Sequence, residues 1–277
     1  MKFVTALRLG RVSNLPTVFS NVLAGALLTR GVLNLEILFI LMIAMGVVYL
    51  SGMFLNDAFD VNHDRQYKPE RPIIQGEVNR KEVFIFGFIL MLLANLIVFY
   101  ISPNIQAILA MITLSVFVMF YNWHHKSNSF SPYVMAICRA LVYIVSGLTI
   151  SDFWSIEQTL AVVALALWVI GLTSFAKGQP AKKYFFFLFL SIGILNVFTL
   201  YTFPIILLPI MIIVASLFYW HYYQYAKFKR GITALLIADI SLLDSWVIAC
   251  ISTGPYVILT LSAFGLTRYW QKKLSGD

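Results

Sequence analysis

The sequence predicts an all-α fold: a polytopic bundle of nine to ten membrane-spanning helices forming one transmembrane unit over residues 1–277. Three observations carry this. The chain is 60% hydrophobic and 12% charged, whereas about 25% of residues are charged in an average soluble domain. Apolar runs are long: YFFFLFLSIGILNVFTLYTFPIILLPIMIIVASLFYW, starting at Tyr184, exceeds the roughly 20 residues that cross a bilayer and has room for two spans. The basic residues, finally, return on alternate loops.

Hydropathy places the spans at residues 15–29, 37–56, 83–101, 105–121, 133–150, 159–176, 184–202, 204–220, 232–250 and 256–269. The last is short and follows a Gly-Pro break. Several joints are tight, such as the Ser-Pro-Asn turn at Ser102 and the Phe203-Pro204 step, because proline ends a helix. Of the 20 Lys and Arg residues, all but Arg30 and Arg139 then fall on one side. The positive-inside rule makes that side, and both termini, cytoplasmic.

The net charge of +8 is spread over short loops and gathers on no soluble face. It reads as topogenic charge, and no nucleic-acid partner is expected. Cys138 and Cys250 both lie in apolar runs, which excludes a disulfide framework and cysteine-based metal spacing. The opening MKFVTALRLGRVSNLPTVFS lacks a short apolar core with a small-residue cleavage site and is read as a mature N-terminus. An integral, multi-pass protein of a bacterial inner or cell membrane is expected.

Where the second apolar run stops, residues 56–78 read NDAFDVNHDRQYKPERPIIQGEV. A helix continuing past Leu55 sets Asn56, Asp60 and Asp64 four residues apart, with Asp57 three before Asp60, so all four share one face. Acids stacked on one face repel each other, and a cation among them removes that cost. Carboxylate and amide oxygens suit a hard divalent ion such as Mg2+, which commonly shares substrate phosphates. Asn56, Asp60 and Asp64 are therefore the candidate metal ligands. The competing reading is a solvated loop whose acids balance Arg65, Lys68 and Arg71. Pro72 after Arg71 suggests a rigid turn aiming a guanidinium; its forked donors suit phosphate, and Lys68 adds a point charge.

The series from Asn56 to Asp64, followed by KPERPIIQGEV, resembles the first aspartate-rich motif of the UbiA superfamily of intramembrane prenyltransferases. The LRLGRVSNLPTVFSNVLAG opening and the number of spans are similar too, so the resemblance in architecture covers most of the chain. It implies a UbiA-like bundle, Mg2+ as cofactor, and a prenyl diphosphate whose isoprenyl group passes to a small acceptor within the membrane. On that reading Asp60, Asp64 and Arg71 are catalytic, and Asn56, Asp57, Lys68, Arg71, Lys126, Arg139 and Lys177 bind the diphosphate.

The chain departs from the superfamily after span six. Members usually carry a second aspartate-rich motif there, whereas no acidic residue stands between Glu157 and Asp239 and the loop holds Lys177, Lys182 and Lys183. A branch of the superfamily found in ebo gene clusters is similar in its LGRVSNLPTV opening and weak second motif. Two readings stay open: lysines neutralise the diphosphate in place of a second metal, or the protein binds or carries a lipid or small hydrophobic cargo without turnover. Within the spans, Arg139 either partners the motif acids or the diphosphate, or snorkels to the interface. Asp244 either accepts a proton, pairs with Arg139, or sits neutral in hydrogen bonds. His124 and His125 are read as interfacial residues.

Overall fold

In a computed structural model of the protein, residues 2–29, 33–126, 128–202, 231–251 and 254–273 are described, and they form helices joined by short connections. A seven-residue helix α1 (Phe3–Leu9) leads through a 3-10 turn (Val12–Asn14) into α2 (Leu15–Leu27). Then follow α3 (Leu35–Phe59), α4 (Val61–Tyr67), α5 (Arg80–Ile101), α6 (Ile105–His124), α7 (Ser131–Ile150), α8 (Ile156–Ala176) and α9 (Ala181–Thr202). Beyond residues 203–230 lie α10 (Ile232–Ala238), α11 (Ile240–Ile251) and α12 (Pro255–Lys273).

Seven helical segments among the described residues are long and apolar enough to cross a membrane. The nine-to-ten count is thus not reached by that measure. The first expected span, residues 15–29, folds as a 13-residue helix that starts at Leu15 directly after a 3-10 turn and ends at Leu27, and it is not among the seven. The tenth is a 19-residue helix ending in Lys272 and Lys273, and it is not among the seven. The eighth, residues 204–220, and the loop lysines beyond it lie outside the described residues.

Side-chain amides and hydroxyls start several helices. Asn34 accepts from the backbone N–H of Glu36 and Ile37, Asn79 from Lys81, and Asn104 from Gln106. Ser155 and Gln158 close a reciprocal capping box on α8. These caps satisfy donors that would otherwise be orphaned near the membrane.

Burial sorts the helices into a centre and a rim. The apolar window of Ile232–Ile251 is 78% buried, whereas that of Arg80–Ile101 is 22% buried. The exposed side chains of α5, among them Ile85, Phe86, Ile89, Leu92 and Phe99, are the surface an apolar solvent wets. The centre, formed by α2, α7 and α11, instead carries the polar side chains Asn21, Ser146, Ser241, Asp244 and Ser245, all fully buried. Close approach of α2 and α7 depends on Gly25. A Cβ there would lie 2.7 Å from the Tyr143 carbonyl oxygen and 2.9 Å from its Cα, which a backbone cannot accommodate without moving.

Candidate functional site: a carboxylate ridge at the mouth of an intramembrane cavity

The helical path continues past the end of α3. Asp60 N–H donates to Asn56 O at 2.9 Å, Asp64 N–H to Asp60 O at 2.8 Å and Lys68 N–H to Asp64 O at 2.8 Å. Asn56, Asp60 and Asp64 therefore recur at one-turn intervals, and together with Asp57 all four are buried. Cations from other segments offset the ridge at two of its acids: Arg11 and Arg71 both meet Asp57, and Lys126 meets Asp60.

Asp57 lies between two guanidiniums. Arg11 Nη2 is 2.8 Å from its Oδ1 and Arg71 Nη1 is 3.2 Å from the same atom. Asp60 meets the end of α6: Lys126 Nζ stands 3.0 Å and His125 Nε2 3.4 Å from its Oδ2. Burial draws the Asp60 carboxyl upward, but the hydrogen bond and charge of His125 and the Lys126 ammonium hold it below the usual carboxylate value. Asp64 has His63 Nδ1 at 3.6 Å. Asn56 accepts from Arg11 Nη2 at 3.1 Å and donates to Asn122 Oδ1 at 3.1 Å. Asn122 in turn donates to Gly52 O at 3.0 Å, which fixes α6 against α3.

The segment between α4 and α5 is a built turn. Arg71 N–H donates to Lys68 O, Gln75 N–H to Arg71 O and Glu77 N–H to Pro72 O. From outside it is gripped by α1, where Arg8 donates to Glu77 Oε1 at 2.7 Å and to Glu70 O at 2.8 Å. The Arg71 guanidinium is thereby held under the loop. Burial, then repulsion from Arg71 and Arg11, lowers the Lys68 ammonium from its ordinary value, as expected where cations converge.

Arg11 lies outside the motif; from sequence it is expected, with Asn14, only to open the first span and line the mouth, and both line the cavity. Arg11 adopts φ 42° and ψ 50°, and among the described residues it is the non-glycine with positive φ. A left-handed arginine costs on the order of 1–2 kcal/mol and persists where its surroundings fix it. Here Tyr49 donates its hydroxyl to Arg11 O at 3.1 Å, and the side chain reaches Met53, Asn56 and Asp57. The Nε atoms of Arg11 and Arg71 are buried without a hydrogen-bond partner. His125, read from sequence as interfacial, is buried instead. Its ring stacks on Tyr121 at 4.7 Å and its Nε2 faces Asp60. One exposed neighbour, His124, keeps the interfacial place.

Two candidates lie elsewhere. Lys177 spends its ammonium on His125 O at 2.8 Å, Asn128 O at 2.8 Å and Ser131 Oγ at 2.6 Å. It clips the end of α8 to the α6–α7 connection. Lys177→Met is accordingly expected to lower the unfolding temperature in detergent while prenyl diphosphate affinity, read by competition binding, stays within about twofold. Arg139 touches none of the motif carboxylates; it donates to Asn21 and Thr17 of α2. Lys183 lies over the Tyr133 ring at 5.7 Å.

Behind the ridge the bundle encloses a cavity of about 310 Å³, at the lower end of small-molecule sites, lined by apolar residues including Val18, Met45, Leu114, Met135, Val169 and Ile240. Its polar wall consists of Arg11, Asn14, Tyr49, Tyr121, Asn122, Arg139, Thr173 and Thr233. Charge at the mouth and oil behind it is the arrangement a lipid with an anionic head requires.

A model of the UbiA prenyltransferase family matches residues 18–243. The chain belongs to this family. Its resemblance to individual members is distant. It is 25% identical over 130 residues to protoheme IX farnesyltransferase 1 of Vibrio campbellii, covering 46% of this chain and 45% of that one. It is 44% identical over 59 residues to digeranylgeranylglyceryl phosphate synthase of Methanosarcina mazei, covering 20% of each. The chain thus spans about half the length, or less, of the curated relatives it matches. Over the whole fold, a UbiA homologue from Archaeoglobus fulgidus bound to GPP and Mg2+ superposes with a TM-score of 0.66 at 13% identity, covering 94% of this chain and 99% of that one. A digeranylgeranylglyceryl phosphate synthase structure gives 0.63 at 17% identity, covering 93% and 98%. UbiA membership accounts for the multi-pass helical architecture, and with it the chain is an integral membrane protein.

The UbiA ridge can be tested against a divalent ion by its donor chemistry. Asp60, Asp64 and Asn56 offer only oxygens, on consecutive turns, and the two carboxylates are buried with relative exposures of 6% and 3%. Such hard donors fit Mg2+. No group of three His, Cys, Asp or Glu side chains able to hold a metal occurs among the described residues, and the Asn56 amide oxygen accepts from Arg11 Nη2.

Proposed function

We propose that this protein is an intramembrane prenyltransferase, moving an isoprenyl group from a prenyl diphosphate to a small acceptor, with its mouth on the cytoplasmic side. The observation that carries the reading is the ridge of buried carboxylates, ringed by Arg11, Arg71 and Lys126, beside an apolar cavity whose wall Arg11 shares. Named relatives are prenyl-transferring enzymes, and one structural neighbour is described as bound to GPP and Mg2+.

In this assignment Asn56, Asp60 and Asp64 hold Mg2+. The chemistry such an ion would supply there is positive charge against the departing diphosphate. Arg71, Arg11 and Lys126 place fixed donors around the leaving group, where charge accumulates as that bond breaks with its electron pair. Lys68 adds a cation at the rim. Val18, Met45, Leu114 and their neighbours line a cavity that keeps water from the electron-poor allylic carbon until the acceptor supplies the new bond and loses a proton.

The test is direct. Purified protein in detergent or nanodiscs is incubated with labelled geranyl, farnesyl or geranylgeranyl diphosphate, Mg2+ and a panel of acceptors. The expected result is diphosphate release coupled to a prenylated product, abolished by a chelator. Tight diphosphate binding with no turnover across the panel overturns the enzyme reading and leaves a lipid-binding or carrier protein.

A further inference from the structure

Two segments far apart in sequence bring a guanidinium to the same oxygen. Arg11 follows α1 and Arg71 stands in the α4–α5 turn, yet both reach Asp57 Oδ1, at 2.8 and 3.2 Å. Two cations converging on one atom repel each other, and neither is anchored through its own Nε. Their separation must therefore be fixed through the backbones that carry them.

A second tie joins those backbones. Arg8 donates Nη1 to Glu77 Oε1 at 2.7 Å and Nη2 to Glu70 O at 2.8 Å. Glu70 is the residue before Arg71. Thr5, also on α1, donates to the other Glu77 oxygen at 2.8 Å. These three hydrogen bonds form a clasp, in which two side chains of α1 hold one carboxylate and one carbonyl of the turn. Leu9 of α1, Val78 of the turn, and Phe54 and Ala58 of α3 form a small core of their own beside it. Stability alone does not account for the clasp. The Arg8 and Glu77 side chains are 34% and 33% exposed, and ion pairs that open contribute little to folding. What the clasp does fix is geometry: it ties the residue beside Arg71 to the helix that ends two residues before Arg11.

We infer that this clasp is a gauge for the ligand's head group. By holding Arg11 and Arg71 at a fixed separation, Arg8 and Glu77 let the site select a diphosphate, which can span both guanidiniums, over a monophosphate, which engages one. This deepens the prenyl-transfer reading and rests on it. Thr5, Arg8 and Glu77 are positioning residues, acting through Arg11 and Arg71. Charge alone predicts the reverse effect. Glu77 is an acid, and removing an acid near an anion site should tighten the anion, whereas losing the clasp should loosen it.

The experiment measures two affinities on the full-length protein in nanodiscs with Mg2+: that of a non-hydrolysable prenyl thiodiphosphate, and that of the prenyl monophosphate of the same chain. Wild type is expected to prefer the thiodiphosphate. Glu77→Ala is expected to shrink that preference about tenfold, the scale of one charged hydrogen bond, with monophosphate affinity within about twofold of wild type. Glu77→Gln can still accept from Arg8 and donate to Thr5, so its preference is expected to stay within about threefold of wild type. Arg8→Gln should shrink the preference as Glu77→Ala does, and it carries the test if Glu77→Ala does not fold. The combined variant should lose less than the product of the single losses, because both act on one clasp. An unmoved or enlarged preference in Glu77→Ala and Arg8→Gln overturns the inference. So does an equal loss of both ligands, the mark of a merely structural role, and so do losses that multiply in the combined variant. A wild type that binds the two ligands equally also overturns it, and leaves the prenyl-transfer reading standing. A wild type that binds no thiodiphosphate overturns that reading, and this inference with it.

Discussion

Asp60→Asn is expected to reduce prenyl transfer at least about a hundredfold, the scale of removing one preorganised group from a charge-stabilising set. The fold should survive. Lys126 keeps its side chain 39% exposed, so its ammonium rehydrates when the carboxylate goes, and a pair this open contributes about 1 kcal/mol or less. The asparagine amide still accepts a hydrogen bond from His125 or Lys126. What it cannot do is supply the negative charge that a divalent ion requires. The distinguishing readout is therefore the Mg2+ dependence of thiodiphosphate binding, which should flatten in Asp60→Asn while the unfolding temperature moves little. Asp64→Asn is expected to follow it. Lys126→Met should behave differently, weakening the diphosphate while Mg2+ dependence persists. An Asp60→Asn enzyme working within about tenfold of wild type under saturating Mg2+ would remove Asp60 from the metal set.

Most of the helices were legible because apolar length is a local property, and the seven long ones were found by hydropathy alone. The first span was read two residues too long at Thr29, because a hydropathy window weighs side chains and does not register that the helical hydrogen bonds give way there, Thr29 N–H turning to Ala26 O. The four-residue spacing from Asn56 to Asp64 also disclosed a shared face, since that follows from helix geometry. It did not disclose which cations would meet each acid. Arg11 lies 46 residues before Asp57 in sequence, and its left-handed backbone leaves no compositional trace. Asn21 and Asp244 are separated by 223 residues, so the sequence offered Asp244 as a partner of Arg139 but gave no sign of the Asn21 amide that stands between them. Lys177 was misleading for the opposite reason. A basic residue where the superfamily carries aspartates suggests a phosphate contact, yet three oxygens of the α6–α7 connection already occupy its ammonium.

Asp57→Ala is expected to be the most destabilising change at the site, by about 3–5 kcal/mol, the range for removing one partner of a buried ion pair. Asp57 is 2% exposed as a side chain, Arg71 8% and Arg11 20%, so little water stands ready to take over. Without the carboxylate two guanidiniums face the same emptied position, and the α4–α5 turn loses the contact that seats Arg71. This also separates Asp57 from its neighbours on the ridge. Asp60 and Asp64 are assigned to the ion, whereas Asp57 holds two cations at a spacing a diphosphate can bridge. An anion entering the gap should then replace the missing carboxylate. Inorganic diphosphate with Mg2+ is expected to raise the unfolding temperature of Asp57→Ala by more than it raises that of wild type. Asp60→Asn, with both guanidiniums still paired, should show no such excess. Equal diphosphate shifts in Asp57→Ala and wild type would mean that Arg11 and Arg71 do not face the ligand. An Asp57→Ala protein as stable as wild type would mean that the ion pairs at this ridge contribute nothing to holding the mouth together.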